Sequence, residues 1–141
     1  MNSLKKILLA LFLSIFLIGC EQATTTVTTE VNLDILAEGY IEFSNLHLEP
    51  EDQLSQEYDV YYIYVYSRFC TACSGIKEEA LSEIELLDND IVFFVEALYR
   101  TDLNENIEIE YLPSIVKVVN NQVDTVTYRG SSVLEVLNGL T

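Results

Sequence analysis

Three hydrophobic patterns divide the chain. The first is the apolar run Ile7–Ile18, which follows Lys5-Lys6. It is too short to span a bilayer comfortably and has the length and basic flank of a signal-peptide core. The second is a set of short blocks rich in β-branched and aromatic residues: Val60–Tyr66, Ile91–Val95, Ser114–Val119 and Val123–Tyr128. Each has strand length, and Val60–Tyr66 carries no charge on either face, as a central strand covered on both sides requires. Tyr62, Tyr64 and Tyr66 share one face of it. The third pattern is helical. Ile76, Ala80, Ile84 and Leu87 recur with Lys77, Glu78, Glu79, Glu83 and Glu85 turned to water, and Val133, Leu134, Val136, Leu137 and Leu140 form the apolar face of a closing helix.

Turn chemistry joins these blocks. Asp88-Asn89-Asp90 ends the first helix, and a polar connection runs from Glu96 through Asp102 to Asn106. Asn120-Asn121 predicts a tight hairpin, so Val123–Tyr128 returns antiparallel to its neighbour. Arg129-Gly130 ends that strand, and Ser131 or Ser132 is the expected cap of the last helix. Between Leu33 and Ser55 the pattern is ambiguous. Leu33, Ile35, Leu36, Tyr40, Ile41 and Phe43 line a helix, Tyr40–Leu48 also alternates, and a helix broken at Pro50 is the expectation. Glu21–Asn32 is dominated by threonine and reads as a tether, reaching roughly 40 Å when extended.

Charge narrows the partners. The 141 residues carry 7 Lys plus Arg against 23 Asp plus Glu, a net charge of −16. Nucleic acid, with its own phosphates, is excluded as a partner. Size and apolar content suit one compact domain.

The apolar run ends at Leu17-Ile18-Gly19-Cys20, with a small residue before a cysteine. This resembles the lipobox of bacterial lipoproteins, in which the cysteine receives lipid after cleavage. An ordinary secretory signal and an uncleaved anchor are the alternatives. The resemblance implies residues 1–19 as signal peptide, 20–33 as lipidated Cys20 with its tether, and 34–141 as the folded domain. Cleavage before Cys20 removes two lysines and no acid, leaving a mature charge of −18. Diacylglyceryl attachment brings more than one acyl chain, enough for stable anchoring. The expected location is the extracytoplasmic side of a cell membrane, with the membrane itself contacted through lipid on Cys20.

With Cys20 assigned to lipid, Cys70 and Cys73 remain. They bound a Cys-x-x-Cys that opens the first helix directly after a strand. There, unpaired backbone N–H groups and the helix dipole stabilise a thiolate. A purely structural disulfide would close too short a loop to remove much unfolded-state entropy. A structural zinc site needs four N or S ligands, and His47 is the lone histidine beyond this pair, so no metal is expected. Copper handling would need His or Met near the thiols, and the chain has one His and only Met1.

From about Asp59 onward the chain resembles the thioredoxin family. The resemblance rests on the strand Tyr62–Tyr66, Phe69 before Cys70, the Cys70/Cys73 pair, Ile109 four residues before Pro113, Leu112-Pro113-Ser114, the Asn120-Asn121 hairpin and Gly130. It implies an α/β fold with a central mixed β-sheet flanked by helices. It also implies a cis Leu112–Pro113 bond facing the redox pair, with Phe69, Leu112 and Pro113 supporting the site. Four departures stand out. Tyr64 occupies the strand position where family reductases carry a buried Asp, Phe69 replaces Trp, Thr71-Ala72 replaces Gly-Pro, and Tyr111 replaces Gly. Glu96, at the end of its strand, is a candidate proton acceptor in place of that Asp, the competing expectation being a solvent-facing glutamate.

The implied activity is thiol–disulfide exchange. Cys70 attacks as thiolate, Cys73 resolves the mixed disulfide, and no cofactor is required beyond the redox-active Cys70/Cys73 pair. Expected partners are exported proteins bearing thiols or disulfides, and a membrane or extracytoplasmic redox partner. The alternative is a non-catalytic accessory lipoprotein of the same fold, with the pair in a resting disulfide.

Overall fold

The computed structural model describes residues 39–87 and 90–141. The expected signal peptide, Cys20, the tether and residues 33–38 of the ambiguous segment lie outside this range, as do Asp88 and Asn89. Among the described residues, no helix is long and apolar enough to cross a membrane.

Four strands form one mixed sheet in the order β2-β1-β3-β4. β1 (Val60–Tyr66) lies inside it, pairing parallel with β2 (Val92–Glu96) and antiparallel with β3 (Ser114–Val119). Tyr61 and Ile63 through Tyr66 are fully buried, as expected for a charge-free central strand. β4 (Gln122–Tyr128) returns antiparallel to β3 through the Asn120-Asn121 turn. Both asparagines have positive φ, 48° and 61°, the geometry a two-residue hairpin of this hand demands. β2 and β4 each sit one residue from their expected starts.

Helix α1 (Thr71–Glu85) follows β1 and buries Cys73, Ala80, Leu81 and Ile84. Helix α2 (Gly130–Asn138) buries Val133 and Leu137 and packs on α1, β3 and β4. Its start corrects one expectation. Arg129, at φ 75°, is the residue before the helix, and no side chain caps it, so neither Ser131 nor Ser132 serves that role. Close packing accounts for Gly130 as the first helical residue, because a Cβ there would lie 2.6 Å from Ile76 Cγ2 on α1.

The ambiguous segment is also corrected. In place of a regular helix, Ile41–Leu46 forms 3-10 turns kinked at Phe43, and His47 then bridges to Phe94 beside β2. Leu48 N–H donates to Phe94 O at 2.9 Å. The alternation seen from Tyr40 to Leu48 thus reflects contact with the sheet edge, which competes with helix once the edge is available.

The two sheet faces are covered differently. Tyr40 stacks on Tyr66 with ring centroids 3.8 Å apart and meets Tyr64 and Phe94, so this segment covers the Tyr64/Tyr66 face beside α1. Tyr61 points the other way and donates to Gln53 O. Fully buried Gln53 donates to Asp102 O and accepts from Asn104 N–H, both at 2.8 Å, fastening 50–56 to the connection after β2.

Candidate redox site

Residues at one end of the sheet form the site. Tyr66 pairs with Glu96 and Val65 with Ser114, so the C-terminal ends of β1 and β2 and the start of β3 lie together. Tyr128 pairs with Ser114, which brings the end of β4 to the same edge. The turn Ser67–Phe69 leads from β1 into the motif, closed by Cys70 N–H donating to Ser67 O.

Cys70 is the N-cap of α1, in extended conformation, and its sulfur accepts from Cys73 N–H at 3.1 Å. A backbone donor aimed at sulfur from the helix N-terminus is suited to hold negative charge. Cys70 is half-buried, Cys73 is 2% exposed, and both are free thiols. Burial, with the adjacent Cys70 sulfur, pushes the Cys73 thiol well up. The two sulfurs therefore differ: one faces outward with a donor on it, and the other is held neutral inside.

Phe69, immediately before Cys70, is 81% exposed. The Leu112–Pro113 bond is cis, and Leu112 packs partly buried against the core. Beside them lies an open groove of about 280 Å³ lined by Ala97, Leu98, Tyr99, Ile109, Tyr111 and Leu112. Tyr99 and Tyr111 project largely into solvent.

Glu96 is neither solvent-facing nor alone. Its side chain is 10% exposed and makes a two-point ion pair with Arg68, whose backbone N–H also donates to Glu96 Oε1 at 3.2 Å. The carboxylate thereby fixes the turn that leads into Cys70, and the Arg68 guanidinium is occupied with it. His47, far from the cysteines in sequence, packs at the core edge. Nδ1 lies 3.0 Å from Phe43 O and Nε2 2.9 Å from Tyr66 Oη. Since a carbonyl can only accept, the neutral ring carries its proton on Nδ1 and accepts at Nε2 from the Tyr66 hydroxyl. Burial lowers the His47 pKa below its ordinary value.

Two tyrosines escaped the sequence reading as site residues. The hydroxyls of Tyr40 and Tyr64 are buried and turned toward each other in a geometry short of a good hydrogen bond, and each lies within electrostatic reach of both cysteine sulfurs. Tyr64 had a signal, since it stands where a buried acid is expected. Tyr40 had none, being 24 residues away in an ambiguous segment. Among the described residues, no group of three or more His, Cys, Asp or Glu is gathered for a metal.

The sequence matches no protein-family model and no curated protein. Solved structures do match. Thioredoxin f2 of Chlamydomonas reinhardtii aligns with a TM-score of 0.54 and 17% identity, over 67% of this chain and 94% of that one. Thioredoxin f of spinach chloroplast, in its long form, aligns with a TM-score of 0.54 and 13% identity, over 67% of this chain and 81% of that one. With the mixed sheet, the motif at the N-terminus of α1 and the cis-proline before β3 already in place, this chain has the thioredoxin fold.

Proposed function

We propose that this protein is a thiol–disulfide oxidoreductase, tethered by lipid on Cys20 to the extracytoplasmic face of a cell membrane. The observation that carries the redox reading is the asymmetry of the pair: a half-buried N-cap sulfur receiving an N–H, one helical turn from a buried thiol.

In the reducing direction the Cys70 thiolate attacks one sulfur of a substrate disulfide. A Cys70–substrate disulfide forms, and the other substrate sulfur leaves with the electron pair. Cys73 then loses its proton to solvent and attacks Cys70 Sγ. The Cys70–Cys73 bond forms as the mixed disulfide breaks, leaving the substrate reduced by two electrons and the pair oxidised by two. Run backwards, the same steps oxidise a substrate dithiol. Phe69, Leu112 and Pro113 form the surface against which the substrate segment lies. The substrates are exported proteins, and a second redox protein at the membrane resets the pair.

Turnover by the purified full chain in an insulin-reduction assay tests the activity. Loss of turnover in Cys70→Ala, together with trapped mixed disulfides in Cys73→Ala and not in Cys70→Ala, is the expected outcome. A wild-type chain that does not turn over would leave a non-catalytic accessory protein. Fatty-acid labelling tests the tether: label on the wild type and none on Cys20→Ala is expected, and equal labelling would overturn it.

A further inference from the structure

Three consecutive backbone N–H groups lead into the reactive sulfur, and each is committed. Phe69 N–H donates to Ser67 Oγ at 3.4 Å and Cys70 N–H to Ser67 O at 3.0 Å, which closes the turn on itself. Arg68 N–H instead reaches out of the turn, to Glu96 Oε1 at 3.2 Å on the neighbouring strand β2. Glu96 is itself well fixed. It pairs with Tyr66 in the sheet, and Ala97 N–H donates to Tyr66 O at 2.8 Å, holding the backbone just beyond it.

We infer that Glu96 is a positioning residue for the thiol chemistry, acting through the Arg68 N–H: its carboxylate ties the turn to the sheet and so holds the Cys70 sulfur where Cys73 N–H donates to it. The inference rests on the oxidoreductase reading and deepens it. Two other roles fit the contacts poorly. As a base, Glu96 would have to give up Arg68, whose backbone N–H and Nε donate to Oε1 and whose Nη2 donates to Oε2. As a cation stabilising a thiolate, Arg68 is offset by the carboxylate it grips, so the pair presents little net charge to Cys70. Holding the turn is the role that uses every contact.

The lever from carboxylate to sulfur is short. Arg68 precedes Cys70 by two residues, and the Cys70 sulfur accepts from Cys73 N–H at 3.1 Å. Such a bond depends on distance and direction, and a turn free to shift loses both. The guanidinium aims the carboxylate, since a two-point grip leaves Oε1 turned to the backbone N–H as well. The same tie fixes the backbone beside Phe69, whose ring stands 81% exposed next to the motif.

Two double variants of the full chain separate position from charge. Glu96→Gln with Arg68→Met, and Glu96→Ala with Arg68→Met, both remove the two opposite charges together. Only the first keeps an oxygen at position 96 to accept the N–H of residue 68. Insulin reduction is measured with both cysteines present, and the pH midpoint of Cys70 alkylation by iodoacetamide is measured with Cys73→Ala added. The glutamine chain is expected to stay within about twofold of wild-type turnover, whereas the alanine chain falls about tenfold, because a small displacement of a reacting atom is enough. The alkylation midpoint of the alanine chain should lie about half a unit higher, which means about threefold less thiolate near neutral pH. Equal midpoints and equal turnover in the two chains overturn the positioning role. A wild type that does not reduce insulin overturns the oxidoreductase reading instead, and the alkylation midpoints still decide what holds Cys70. If the alanine chain does not fold, amide hydrogen exchange of the wild type decides. Protection of the Arg68 N–H by about a hundredfold or more is expected, and exchange at the free-peptide rate overturns the tie.

Discussion

The motif end of the sheet and the Gln53 staple handle buried polar atoms in opposite ways. At the staple, Gln53 uses both ends of its amide, on Asp102 O and Asn104 N–H, and Tyr61 donates to Gln53 O at 2.9 Å. At the motif end, Tyr40, Tyr64 and Ser114, which follows Pro113 at the start of β3, bury hydroxyls that have no partner. A satisfied buried network fastens irregular chain to the sheet and adds specificity to the fold. Buried hydroxyls without a well-aligned partner are a cost in stability. The difference separates a fully paired polar staple from a sheet end that leaves buried hydroxyls poorly paired.

Four experiments break or sharpen that contrast. The largest effect belongs to the motif: Cys70→Ala should abolish disulfide-reducing turnover while the melting temperature stays near that of the reduced wild type, since the half-buried N-cap contributes one hydrogen bond. A second change strikes the staple. Gln53→Ala leaves Asp102 O and Asn104 N–H unpaired in the interior and opens a small void, with an expected loss of about 3 kcal/mol in denaturant unfolding. Thiol reactivity of the folded fraction should be retained, and a loss below about 1 kcal/mol would show that the staple is not structural.

The third is a matched pair of hydroxyl deletions. Tyr61→Phe should cost about 1 kcal/mol because Gln53 O loses its donor, whereas Tyr64→Phe should gain up to about 1 kcal/mol because an unpaired buried hydroxyl is removed. Chemical denaturation of both variants checks the opposite signs. Equal losses at the two sites would erase the distinction between the regions.

The smallest effect is the pH response of His47. Burial depresses its pKa below the ordinary 6.5. The unfolded chain therefore takes up a proton below pH 6.5 that the folded chain resists, so stability is complete above about pH 7 and falls as pH drops through 6.5. One proton sets the ceiling at about 1.4 kcal/mol per pH unit. His47→Gln should flatten the wild-type difference in melting temperature between pH 7.5 and pH 5.5. The Cys73 thiol gives the reverse dependence in the reduced protein. Its folded pKa is raised, so stability is complete below the ordinary thiol value and declines as pH climbs through it.

Much of the scaffold was readable because its signals are local. An uncharged seven-residue block makes a central strand wherever it sits, and two asparagines tolerate the positive φ of a tight hairpin. The Cys70/Cys73 spacing placed one sulfur at a helix start and the other a turn inside by helical geometry alone. The failures were equally physical. Residues 41–48 gave up a regular helix because β2 offered an edge to His47 and Leu48, a partner more than forty positions away. The start of α2 was set by how closely Gly130 approaches Ile76, and no serine cap took part.

What the sequence by itself determined, then, was the order of elements, the placing of Cys70 and Cys73 at a helix start and the expectation of a thioredoxin-like sheet, all properties of short-range periodicity and residue type. Tertiary structure alone decided the electrostatics around the sulfurs. It joined Arg68 to Glu96 across 28 positions, closed the Gln53 staple across about 50, and laid Tyr40 over Tyr64 and Tyr66 beside Cys73. Hydrogen bonds and desolvation depend on distances of a few ångströms, and those distances exist only after the chain has closed upon itself.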